Sequence, residues 1–249
     1  MAIVEPDGLA VLNAQFTTAQ VADIISKTAR WVDRKTFDLL PTWHPEMWRG
    51  ALMYKNNWRE PQMNTNRKSG ISVHKTEGNS AANSALTYAL GSAKSKRDGG
   101  SCCHIWDHGD TKFQTSNFVA GDSRFYSCVA NMVLLPTPLK AFTDSMPQIK
   151  EMLRIAAYHH FGWYCDHDVL ESWGYLENAG VVPDFYPSDW PDKTTPNKPL
   201  PGVVPLNTKI RKHIDRRCRK INDDLENAGE YYPRKEVDET LAYWSNRNG

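Results

Sequence analysis

Seven prolines, Pro183, Pro187, Pro191, Pro196, Pro199, Pro201 and Pro205, fall in one mostly polar stretch. Proline fixes φ near about −65° and has no N–H to give, so neither a helix interior nor a central strand can pass through such a stretch. The segment 181–206 therefore reads as a stiff, extended connector, with Phe185, Tyr186 and Trp190 available to pin it to the surface of the body. This divides the chain into a main α+β domain over 1–180, the connector, and a C-terminal helical arm over 207–249.

The chain has 249 residues, 40% apolar and 11% aromatic, enough to build a core, so wholesale disorder is excluded. A net charge of +1 selects no partner, because the distribution of charge matters more than its sum. Five cysteines, an odd number with no C-x-x-C pair, argue against a disulfide framework or a zinc ribbon and for a reducing, cytoplasmic setting. No apolar run reaches the roughly 18 residues that a membrane span needs, so no membrane partner is expected. Nine tryptophans serve either as buried ballast or as stacking surfaces for bases.

Periodicity gives the helices. After an extended lead-in over 1–16, Thr17 and Gln20 form a capping box, and Val21, Ile24, Ile25, Ala29 and Val32 recur at helical spacing up to Pro41. A shorter helix is expected from Thr42, with His44 and Glu46 in packing or capping roles. Ala82, Ala85, Leu86, Ala89 and Leu90 make the stripe of another helix, stopped by Gly91. Ile149, Met152, Leu153, Ala156 and Ala157 make a further one, closed by Gly162. A short helix follows from Asp168, and the last one carries Val237, Leu241 and Trp244.

Two segments are basic. In 56–79, Arg59, Arg67, Lys68 and Lys75 alternate with asparagines, and Ile71 and Val73 suggest a brief strand; amide and cationic side chains together suit phosphates and base edges. In 207–227, capped by Asn207, the stripe Ile210, Ile214, Cys218, Ile221 and Leu225 leaves Arg211, Lys212, Arg216, Arg219 and Lys220 facing outward. The apolar stripe can dock on the body or on a second copy, so a homodimer through the C-terminal helices is one expectation and DNA contact by the cations is another.

Chemistry concentrates in 101–145. A short strand ends in His104, a loop rich in Gly, Asp and Asn follows, and an apolar segment carries Asn131, Met132, Val133, Leu134 and Leu135 before Lys140. This order, a His followed by Ile at a strand end, an Asn opening an apolar segment and a polar residue beyond it, resembles the HNH, or ββα-metal, nucleases. The resemblance covers about a sixth of the chain. It implies a hairpin packed on a helix around one divalent cation, within a mostly helical body. Carried over, His104 would be the general base, Asn131 the amide that orients the His loop, and Lys140 would occupy the final position. Cys103 stands where the family has an acid or His. A thiol is a poor ligand for Mg²⁺ and a protonated Lys140 cannot ligate, so Asp107, Asp110 or Asp122 would have to supply the carboxylate. Arg124 would clamp phosphate. The implied cofactor is Mg²⁺, with Mn²⁺ as a substitute. Zinc on Cys102, Cys103, His104, His108 and Cys128 lacks a recognised spacing. The expected activity is DNA phosphodiester hydrolysis, as in restriction or mobile-element enzymes; the alternative is a DNA-binding protein whose ββα core is degenerate.

Overall fold

The computed structural model describes residues 8–93, 99–106, 118–171 and 182–247. It is a mixed α+β structure in which helices surround several small sheets. Helix α1 (Gly8–Gln15) replaces the extended lead-in that the sequence suggested. Helix α2 (Thr18–Thr28) begins with the Thr17–Gln20 capping box, both reciprocal bonds being present. It does not continue to Pro41. Ala29 is extended, Trp31–Val32 form strand β1, and Asp33 caps a second helix, α3 (Arg34–Leu39), through a bond from Lys35 N–H. No helix forms at 42–46 either. There Thr42 bridges Cys128, and His44 N–H donates to Ser127 Oγ at 2.8 Å, so these groups pair with a distant segment instead.

Two small hairpins follow, β2 (Tyr54–Lys55) with β3 (Glu60–Pro61), and β4 (Met63–Thr65) with β5 (Ser72–His74). Helix α4 (Ser80–Ala89) is capped by the buried Glu77 carboxylate, which accepts from Ala81 N–H at 3.1 Å and from Ser80. The central hairpin pairs β6 (Gly100–His104) with β7 (Met132–Pro136), antiparallel, with His104 opposite Met132 and Gly100 opposite Pro136. Between them lie the short helix α5 (Ser123–Tyr126) and a 3₁₀ turn, Val129–Asn131. After β7 come α6 (Lys140–Ser145) and the long core helix α7 (Pro147–Phe161), then α8 (Asp168–Glu171).

The proline-rich connector is sewn into the body. Its Val203–Val204 form strand β8, parallel to β1, and Arg30 bridges Leu134 of β7, so the strands lie in the order β6, β7, β1, β8. Gly202 is required at this junction: a Cβ there would sit 2.1 Å from the Ala29 carbonyl oxygen. Trp190 is fully buried, edge-on to Trp31 at 5.9 Å, so the connector adds a large apolar group to the core. The arm consists of α9 (Thr208–Asn227), capped by Asn207 Oδ1, and α10 (Arg234–Arg247). Its apolar side chains Ile210, Ile214 and Trp244 join the main core. The first half of the α9 stripe is thus covered by the body, while Ile221 and Leu225 pack in a second cluster with Ala228, Tyr232 and Val237 of the arm and with Trp58. Among the described residues no helix is long and apolar enough to cross a membrane.

Candidate active site

His104 ends β6 with its side chain 7% exposed. Its Nε2 lies 2.9 Å from the Tyr126 carbonyl oxygen, and the two rings stack at 5.6 Å. A carbonyl only accepts, so Nε2 carries a proton in this bond.

Asn131 is fully buried and grips the chain just past His104. Its Oδ1 accepts from Trp106 N–H at 2.7 Å, while Nδ2 donates to the Trp106 carbonyl at 3.3 Å and to the Phe125 carbonyl at 3.1 Å. Its own carbonyl accepts from Ile105 N–H at 3.1 Å. One amide therefore ties the exit from β6 to the α5 segment whose Tyr126 carbonyl holds the His104 ring. Helix α7 adds a second grip that the sequence reading missed. The buried Arg154 donates Nε–H to the Ile105 carbonyl at 2.7 Å, with its guanidinium 5.0 Å above the Trp106 ring. Lys150, one turn earlier, is also buried. Two cations four residues apart within the apolar run of α7 were the available signal, since such groups are buried only when something holds them.

The pleat separates the other named residues. Cys102 and His104 share one face of β6, and Cys102 Sγ lies 3.3 Å from Met132 Sδ. Cys103 points the opposite way, toward Thr143, Lys140, Asp144 and Lys150, and burial pushes its thiol up to about 11. Lys140 opens α6 on that same far side, where its ammonium pairs with Asp144. The structure thus brings His104 and Asn131 together and leaves Cys103 and Lys140 behind the strand.

Asp122 caps α5 through Arg124 N–H at 2.8 Å, and the Arg124 guanidinium binds its carboxylate, Nη2 to Oδ2, at 2.7 Å. Arg124 also lies 4.8 Å over the Phe125 ring and 5.4 Å over that of Tyr243. These two residues line a cleft of about 830 Å³ with Trp48, His167 and Glu236, with Asp122 neutralised rather than open to a cation. Asp107, Asp110 and His108 lie outside the described residues. Of the described candidates, none offers a hard divalent cation an open donor: the Cys103 thiol is soft and protonated, Asp122 is engaged by Arg124, and Lys140 is a cation.

Elsewhere, Arg67, Lys68 and Lys75 lie on or beside the β4–β5 hairpin, and Arg211, Lys212, Arg216 and Arg219 are exposed on α9. Arg217 turns inward and binds the buried Glu46 carboxylate and the Trp43 carbonyl. Glu46 also meets His44 Nδ1 at 3.2 Å, so both residues belong to the seam between body and arm. No protein-family model, curated protein or solved structure matches the chain.

Proposed function

We propose that the chain hydrolyses DNA phosphodiester bonds, with His104 as the base that activates water. The observation that carries this reading is the three-bond clasp of Asn131 on Trp106 and Phe125, joined to the Tyr126 carbonyl that holds the His104 ring. A base must be held in one orientation, and here a buried amide fixes the backbone on both sides of the imidazole. In the reaction, the His104 imidazole takes a proton from water as the oxygen attacks phosphorus, and the 3′-oxygen departs with the bonding electron pair and is protonated by solvent, leaving a 3′-hydroxyl and a 5′-phosphate. The divalent cation implied by the resemblance would depend on Asp107 or Asp110; Asp107 directly follows the clasped Trp106 in the chain.

Supercoiled plasmid incubated with Mg²⁺ or Mn²⁺ should be nicked by the wild type and left intact by His104→Ala and by an EDTA-treated sample. Equal cleavage by the alanine variant would remove His104 from the chemistry. A second reading, DNA binding without hydrolysis, is favoured by the placement of Cys103 and Lys140 on the face of β6 away from His104. Retention of duplex DNA with no cleavage in any divalent metal would select it.

A further inference from the structure

The β4–β5 hairpin stands away from the body on both faces. Its ladder begins where Lys75 N–H donates to the Gln62 carbonyl at 2.7 Å and ends where Asn66 N–H donates to the Ile71 carbonyl at 2.9 Å. Five residues on each strand, at about 3.4 Å per residue, make an arm roughly 17 Å long. Every residue from 63 to 74 is exposed, including Ile71 at 63%, Val73 at 56% and Met63 at 47%. A lone two-stranded ribbon in water is marginal. This one is held by its turn, where Asn66 Oδ1 accepts from Lys68 N–H at 2.8 Å and Ser69 N–H at 3.2 Å, and by a Thr65–Ser72 hydroxyl bond of 2.8 Å.

The root of the arm is fixed. Asn57 and Trp58, at φ 53° and 65°, accept from Gly229 N–H at 2.8 Å and Tyr231 N–H at 3.2 Å, while Tyr54 stacks on Tyr231 at 4.8 Å. Gly229 is needed there, since a Cβ would come within 2.5 Å of the Trp58 carbonyl oxygen. The arm is thus a soft ribbon on a firm mount.

Charge selects its partner. Between residues 61 and 76 there are three cations, Arg67, Lys68 and Lys75, a histidine, and no carboxylate. Two copies pairing through this edge would bring like charges together, whereas a polyanion neutralises them. Strands about 4.8 Å apart fit a major groove about 12 Å wide. Asn64 and Val73 lie opposite one another and share a face, on which an amide can read adenine and a methyl group can meet the thymine methyl. Resting on the DNA substrate proposed above, we infer that this ribbon is an arm that enters the major groove of duplex DNA, with Arg67 and Lys68 at its tip on the phosphates.

The test uses the full chain and a fluorescent mixed-sequence duplex of about 30 base pairs, long enough for several phosphate contacts. Anisotropy against KCl should give a log–log slope that falls by about 1.8 in Arg67→Gln/Lys68→Gln, two contacts at about 0.9 each. Replacing residues 63–74 by two glycines joins the already paired Gln62 and Lys75. That variant should bind at least about tenfold more weakly and lose the protection of guanine N7 from dimethyl sulfate that the wild type confers. An unchanged slope and unchanged N7 protection, with wild-type binding intact, would overturn the arm and leave the proposed hydrolysis standing. Absence of wild-type binding would overturn both. Concentration-dependent self-association abolished by Val73→Lys would show that the ribbon docks on a second copy, and would also overturn the inference.

Discussion

Replacing Asn131 with alanine removes three hydrogen bonds from a site with no access to water. The Trp106 N–H, the Trp106 carbonyl and the Phe125 carbonyl each lose a partner at 2.7, 3.3 and 3.1 Å, and the Asn131 side chain is completely buried. Leaving a buried backbone group without its partner costs about 1–3 kcal/mol, so three such groups set a loss of roughly 3–5 kcal/mol once partial collapse of the small cavity is allowed. That is a large share of the roughly 5–15 kcal/mol that holds a domain folded. With a urea slope of about 3 kcal/mol per molar for a chain of this size, the midpoint should fall by roughly 1–1.7 M. Tryptophan fluorescence across a urea series measures it directly. Asn131→Asp keeps the acceptor for Trp106 N–H but points a carboxylate at two carbonyls, so it should be no better than alanine. A change below about 1 kcal/mol, with the slope unaltered, would refute the clasp as the main restraint on this loop.

His104→Ala should lower plasmid cleavage by about 100-fold or more while duplex binding, measured by anisotropy, stays at the wild-type level. Burial alone would raise the Glu46 carboxyl, but Arg217 and His44 outweigh it and hold it at about 2. A depressed carboxyl stabilises the fold above its unfolded pKa near 4.5, and that contribution, about 3 kcal/mol, should drain away as the pH falls from about 4.5 to about 2. Arg217→Met should shrink this acid-side loss in a urea titration against pH. Of the five thiols, Cys102, Cys103, Cys128 and Cys165 are buried, so a native-state titration with a disulfide reagent should find Cys218 alone reacting quickly, with the other four appearing on unfolding. Arg211→Gln/Lys212→Gln/Arg219→Gln should lower the salt slope of DNA binding by up to about 2.7, and an unchanged slope would make α9 a scaffold.

The features that could be read in advance are those whose cause lies within a few residues. The Thr17–Gln20 box, the Asn207 cap and the glycine stops at Gly91 and Gly162 all appear where the chain spells them, the two glycines at φ 63° and 66°. The order of His104 and Asn131 was legible for the same reason, because a strand end and the opening of an apolar run are local marks. Their meeting, through Trp106, Phe125 and Tyr126, is what the fold adds.

Long-range pairing decided the rest. Nothing near Ala29 announces that the helix must stop there; the stop follows from Trp31 N–H donating to the Gly202 carbonyl at 3.1 Å and from Arg30 pairing with Leu134. The residues 42–46 gave up a helix because Ser127 and Cys128 offered other partners. The resemblance groups Lys140 with His104, but alternation along β6 turns Cys103 to the opposite face, where α6 carries Lys140 and Asp144. Sequence alone determined the local propensities and the caps. Tertiary structure alone decided which face each strand residue serves, because a pleat's two faces are chemically equivalent until a helix or a distant segment covers one of them.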